Sequence, residues 1–410
     1  MNNFRLPQLD KATRNKYNYH LRAFNGGREY VEGYDDRSRE IISRFTCEEP
    51  SDYNERVCRT PYRAVVPTII NGFLSGVFRQ SPSRPDSFSD FVTNSDGRNK
   101  SLNSVMKSFG ESLLLYSVAF LKVNINDSVS SLAQAAKAPF TVQNLPLSSV
   151  LYYRFEEERL VEIVVLYSDS TFSWWKEEEN QIILIEGEHG KDYTIKSSES
   201  FVVPYIPVIA SSTNSAIIES VLESVRSLHN YLSLLNQEIF EKTFSRDIIS
   251  GARAPENKDD AKISWGSTRM LFIEDAGVSV QTVGSDKSQA DSIRTSIEEE
   301  IKNIVRVTGQ YLDGEGASGV QSGIAIKLQR EAYTLICESL AFALNVAENE
   351  LFQLLSLATG KATDLVTYSS DFIMQNYVEE VQLLRDILSL PLSDEIKQKA
   401  VERFQQIFFR

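Results

Sequence analysis

A chain of 410 residues with 42% hydrophobic and 24% charged residues can bury two or three domain-sized cores and has the make-up of an ordinary soluble protein. Its net charge of −13 has the opposite sign to that of a protein gripping nucleic acid through phosphate neutralisation, so adhesive DNA binding is disfavoured. Three scattered cysteines (47, 58 and 337), no run of transmembrane length and no apolar signal region in MNNFRLPQLDKATRNKYNYH point to a soluble, cytoplasmically made chain, with a Cys47–Cys58 pair only in an oxidising setting.

Residues 1–60 are polar and charge-rich and read as short helices and loops, an arm that orders against something else. From Tyr62, PYRAVVPTIINGFLSGVFRQSP places Val65, Ile69, Ile70, Phe73, Leu74 and Val77 on one helical face, and the prolines of SPSRP end it. A second helix, from about Leu102 to Leu115, carries Val105, Phe109 and Leu113 and flows into a strand, SVAFLKVNI. Residues 139–206 are short β-rich runs, expected to form an antiparallel meander of about six strands. Within it, Trp174 and Trp175 are adjacent, so one should face outward or an interface.

A long helix then begins near Ser215. Ile218, Val225, Leu232 and Ile239 repeat every seven residues, as do Val221, Leu228 and Leu235. Such a helix would be about 45 Å long, and Leu222, Tyr231, Leu234 and Phe240 widen its apolar face, so several helical neighbours are expected. A small β-rich insert, Arg246 to Val283, separates it from a second helix, about Ser288 to Thr308, whose stripe is Ile293, Ile297, Ile301 and Ile304. Next comes GQYLDGEGASGVQSG, with five glycines at 309, 314, 316, 319 and 323, and then a helix from Ile324 to Ala358 striped by Ile324, Leu328, Leu335, Phe342 and Val346. Two helices holding up a glycine-rich loop suggest a mobile part on a rigid frame. Two more helices, about Val378–Leu390 and Ser393–Phe409, close the chain, with Pro391 between them and Ser393 and Asp394 able to cap the second.

Tests for chemistry return little. GEGASG at 314–319 spells G-x-G-x-x-G, but dinucleotide binding needs a preceding strand, and here a helix precedes it. No P-loop occurs (EGEHGKD has the wrong spacing) and there is no G-x-S-x-G elbow. His20, His189 and His229 are isolated, no C-x-x-C exists, and His229 beside Leu228 reads as interhelical packing rather than a ligand. The carboxylate runs at 156–158, 177–179 and 298–300 read as solvated turns and a solvated helix face. Neither a catalytic nor a metal site is predicted, nor any cofactor.

The order of elements resembles that of the portal proteins of tailed bacteriophages. PYRAVVPTIINGFLSGVFRQSP is similar to the N-terminal helix of a portal subfamily, its end here running from Gly76 to Ser81 with Pro82 following. MKSFGESLLLYSVAFLKV resembles the helix-into-strand step, GSTRMLFIEDAGVSVQTVG the clip hairpin, and VRVTGQYL with VQSGIAIKLQREA the borders of the tunnel loop. The resemblance implies an α+β, predominantly helical, portal-like ring subunit. Its parts would be a wing at 1–214, a stem helix at 215–245, a β-rich clip at 246–284 and a second stem helix at 285–309. A tunnel loop at 310–323, a long wing helix at 324–360 and a short helical crown at 361–410 would follow.

By the same resemblance the protein is expected to be structural, not an enzyme, and to sit at one capsid vertex of a virion as a ring of usually twelve. Its expected partners are other copies of itself, double-stranded DNA in the channel, the large terminase, a tail adaptor and the major capsid protein, with no membrane. Twelve copies of −13 give about −156, a field that keeps DNA from sticking in a channel. The implied tunnel-loop contacts are Tyr311, Asp313, Glu315, Gln321 and Lys327, and the implied clip interface is Arg253, Trp265, Arg269 and Met270. The stem would pack through Ile218, Val225, Leu232, Ile239, Ile293, Ile297 and Ile301. The competing readings are another head structural or adaptor protein and a nucleotide-binding enzyme using 314–319.

Overall fold

The computed structural model describes residues 6–32, 41–46, 48–125, 140–179, 181–189, 193–201, 206–213, 216–243, 246–250, 270–273, 279–283, 287–310 and 323–370, with single positions beyond. The architecture below belongs to the unit Met1–Ser369. The two helices expected in the C-terminal unit fall almost wholly outside the described residues.

The core is built around one helix. Three helices, α1 (Lys11–Asn25), α2 (Gly27–Glu32) and α3 (Pro50–Arg59), precede α4 (Val65–Val77). All six residues of the expected α4 stripe are buried, and Val66 joins them. After α5 (Ser89–Thr93) comes α6 (Leu102–Tyr116), capped by the Ser101 side chain and stopped by Ser117 in the left-handed region at φ 61°. Both α1 and the long helix described below pack on α4 and α6.

Residues 118–212 make two sheets, not one. β1 (Val118–Ile125) lies between β2 (Phe140–Leu145) and β8 (Val208–Ser212), antiparallel to both. Strands β3 (Val150–Glu156), β4 (Arg159–Leu166), β5 (Thr171–Glu178), β6 (Gln181–His189) and β7 (Tyr193–Phe201) form a separate five-stranded meander. The expected six-stranded meander therefore loses β2, whose pairing lies with a strand before it in sequence. Glu157 and Glu158, both at positive φ, make the two-residue β3–β4 turn, so this acidic run is the solvated connection expected. Trp174 and Trp175 are both half-buried, and Trp174 donates to Glu162 at 2.9 Å, so neither stands fully exposed.

Helix α7 (Glu219–Thr243) leads almost directly into β9 (Arg246–Ser250), and β11 (Ser279–Val283) leads into α8 (Lys287–Thr308). β9 and β11 are antiparallel with Arg246 opposite Val283, which brings the end of α7 beside the start of α8 and makes the two helices an antiparallel pair. β10 (Met270–Ile273) pairs parallel with β9, not with β11. The expected hairpin over 266–284 is thus a three-stranded unit with β9 in the middle.

Helix α9 (Gly323–Thr359) is the longest among the described residues, at 37 residues. Its core-facing side is Tyr333, Cys337, Leu340, Leu344, Leu351, Phe352 and Leu355, with Ala341, Ala343 and Ala347 among them. The stripe read from the sequence is corrected here: Leu335, Phe342 and Val346 are 64%, 71% and 50% exposed. Close approach to α4 depends on Gly76, where an added Cβ would lie 2.1 Å from the Tyr333 hydroxyl and 3.1 Å from its ring carbon. Gly76→Ala is expected to destabilise by about 1–3 kcal/mol through overpacking, seen as a lower urea midpoint with unchanged m-value. A neutral result would mean that Tyr333 moves freely.

Candidate functional site

The α7–α8 pair and its surroundings carry most of the residues singled out in the sequence. Along α7 and the turn before it, Ile218, Val221, Val225, Leu228 and Leu232 are buried. The seam stops there within one copy: Leu235 is half-buried and Ile239 is 47% exposed. On α8, Ile297 and Ile304 are buried while Ile293 and Ile301 are half-buried, so this stripe also straddles the edge of the core.

What covers the front of α7 is the N-terminal arm. Asn230 accepts from the Ser43 amide at 2.8 Å and donates to Ile41 O at 2.8 Å, and Asn236 donates to Arg59 O at 2.5 Å. Arg56 and Thr60 meet at Ser233, at 3.0 and 2.8 Å. The arm expected to order against something else orders against its own long helix. No periodicity reveals this, because scattered single polar side chains and the Tyr30–Tyr62–His229 ring cluster make the contacts.

His229 sits at the centre of this contact, stacked with Tyr62 at 5.7 Å and edge-on to Tyr30 at 5.4 Å. Its Nδ1 donates to Val225 O at 2.7 Å and its Nε2 accepts from the Arg63 amide at 3.3 Å, which defines a neutral ring. Burial holds its pKa below the usual histidine value, and burial does the same to His20, which hydrogen-bonds Leu115 O at 2.6 Å. The unfolded chain, with ordinary histidines near 6.5, therefore binds more protons than the folded one. Stability is complete above that value and falls as pH drops through it. Urea midpoints should decline between about pH 7 and pH 5, and His229→Gln should flatten that decline. An unchanged slope in the variant would exclude His229 as a source.

The base of the glycine-rich stretch is anchored on α4 from both sides. Gly309, at φ 67°, ends α8 with its amide on Val305 O. Gln310, 5% exposed, then donates to Ile69 O at 2.9 Å, and Tyr333 on α9 donates to Gly72 O at 3.2 Å. Burial raises the Tyr333 hydroxyl and pushes the neighbouring Cys337 thiol up to about 11. Such a thiol is inert.

Tyr311, Asp313, Glu315 and Gln321, with the 314–319 glycines, lie outside the described residues, as do Arg253, Trp265 and Arg269. Lys327 is placed on the first turns of α9 and Met270 on β10 opposite Asp247, both by backbone alone. Cys58 and Cys337 are free thiols, and Cys47 lies outside the described residues. Among the described residues no group of three metal-ligating side chains occurs, and no helix is long and apolar enough to cross a membrane.

No protein-family model matches the chain, and no curated protein matches it. Solved structures do. One, described as the neck of a native GTA particle computed with C12 symmetry, is 13% identical over 82% of this chain and 88% of its own, with a TM-score of 0.41. A second, the neck of an empty GTA particle computed with C6 symmetry, is 13% identical over 82% and 89%, with a TM-score of 0.44. A third, from the virion of a native gene transfer agent particle, is 12% identical over 82% and 88%, with a TM-score of 0.43. At those TM-scores the likeness decides nothing about this chain.

Proposed function

We propose that the chain is a structural subunit of a phage-like virion, a portal-type protein that assembles as a ring at the head-to-tail connection. The observation that carries this reading is the antiparallel α7–α8 pair, capped at one end by a three-stranded unit and joined at the other to α9 and the two-sheet wing. This order supports the wing, stem, clip, stem and wing-helix reading that the resemblance implies. In this reading the ring has about twelve copies and its acidic bore passes DNA with weak contacts at 311–327. The β9–β11 unit docks first the packaging motor and then a tail adaptor, with Arg253, Trp265, Arg269 and Met270 as its interface.

The test is the native mass of the purified full chain, with negative-stain images of the same peak. A ring with a central hole supports the reading. A monomer at every concentration that binds a nucleotide saturably overturns it in favour of the glycine-loop enzyme.

A further inference from the structure

Charge is sorted by helix in this chain. Lys11, Arg14, Lys16 and Arg22 lie on α1, which has no carboxylate, whereas α9 has its two cations, Lys327 and Arg330, in its first turns and beyond them carries Glu331, Glu338, Glu348 and Glu350 with no cation. A helix facing only water gains from mixed charges at i,i+4; α1 has no such pair, and α9 has only Lys327 with Glu331. Within one copy the two sets hardly meet: Lys16 pairs with Glu219 at 2.6 Å and Glu348 pairs with Arg84. Lys11 and Arg14 are exposed, with no acidic partner among the described residues. Glu338 is exposed and Glu350 is half-buried, with no cation paired to either among the described residues, and Glu331 is exposed and follows Lys327 and Arg330 in the helix.

The same face of α9 carries the apolar residues the core leaves out. Phe342, the most exposed of them, lies seven residues from Leu335 and four from Val346, the spacing of a helix–helix contact strip. An exposed apolar strip along a helix is normally a contact surface. Burial raises the pKa of Glu350 beside this strip, a carboxylate that an incoming cation would stabilise. Lys11, Arg14, Asn15 and Asn18 form an exposed stripe of the right sign, with aliphatic stems able to lie over Phe342.

We propose that the outer face of α9 receives the basic outer face of α1 from a second copy of this chain. The contact deepens the ring reading above and rests on it. Both helices pack on α4 and α6 by their inner faces, so each copy offers one outer face and accepts the other. Two different faces meeting head to tail generate a ring when the rotation closes.

Three full-chain variants test this by light scattering: Phe342→Asp, Lys11→Glu with Arg14→Glu, and Glu331→Lys with Glu338→Lys. Each should raise the protein concentration needed for half-assembly by about tenfold or more. The combined charge exchange, carrying both double substitutions, should bring assembly back. All these residues are exposed, so circular dichroism and thermal midpoints should hold; if Phe342→Asp fails to fold, the two charge reversals still decide. A wild-type ring left intact by every variant overturns this contact and spares the ring. Disassembly by both reversals without recovery in the combination removes α1 as the partner and overturns it too. A wild-type chain that stays monomeric at every concentration overturns the contact and the ring reading together.

Discussion

Replacing Glu348 by Leu while Arg84 remains is expected to destabilise the protein by about 3–5 kcal/mol. Glu348 is fully buried on α9 and Arg84 is 8% exposed, and the two form a forked ion pair in which Arg84 Nη2 reaches Glu348 Oε2 at 3.2 Å. Arg84 Nη1 also donates to Asn103 on α6 at 2.7 Å, and the Tyr368 hydroxyl donates to Glu348 Oε2 at 2.6 Å. Beside this cluster Ser83 and Thr367 pair as an antiparallel bridge. Four separate stretches of chain therefore meet at one charge pair. Burial works against the Arg84 charge, but Glu348 outweighs it and leaves the guanidinium pKa raised; Tyr368 is raised by burial and by Glu348.

The magnitude follows from an uncompensated charge. Removing one partner strands the other where water cannot reach it, whereas removing both leaves only a packing defect. The double variant Arg84→Met with Glu348→Leu should accordingly be closer to wild type than either single change. Urea denaturation of the four proteins gives the coupling directly. Additive single effects would mean that the pair is hydrated in solution and that the four stretches are held by packing alone.

None of this pair was legible in the sequence, since its members lie 264 positions apart. Local period was legible: α4 and α6 stand where their stripes put them, because a 3.6-residue repeat is a property of neighbouring residues. The same rule misled on α9. A search for large apolar residues finds Leu335, Phe342 and Val346, while the side that reaches α4 and α6 owes its close fit partly to Ala341, Ala343 and Ala347. Period fixes how many faces a helix has, not which one the core takes. The sheet assignment failed similarly, because β2 has the alternation of a meander strand and its partner β1 is settled only by the tertiary path. The candidate site divides along the same line: α7 and α8 are periodic and were legible as helices, while the covering of α7 by residues 41–63 rests on scattered polar contacts and the Tyr62–His229 stack.

The second large effect lies in that covering. Arg56, 3% exposed, places Nε and Nη2 on the two Glu48 carboxylate oxygens at 2.7 Å each, Nη2 also on Ser43 O at 2.8 Å, and Nη1 on Ser233 of α7 at 3.0 Å. Phe45 and Tyr53 lie within 4.8 and 5.5 Å of the guanidinium carbon. Arg56 hydrogen bonding holds the Glu48 pKa below the usual carboxylate value, so this contribution is present at neutral pH and lost as pH falls through that lowered value. The two partners are not equivalent. Glu48, 11% exposed, can regain water when Arg56 is removed, whereas Arg56 without Glu48 is a buried charge left with neutral acceptors. Glu48→Ala should therefore destabilise more than Arg56→Ala, with about 3 kcal/mol or more for the former. Arg56→Lys should behave nearly as badly as Arg56→Ala, because an ammonium cannot span the carboxylate, Ser43 O and Ser233 together. Urea midpoints at neutral pH rank the three. A Glu48→Ala loss of only about 1 kcal/mol or less, the value of a surface pair, would show that the arm is fastened to α7 by Asn230 and Asn236 instead, and the large effect would then move to those two positions.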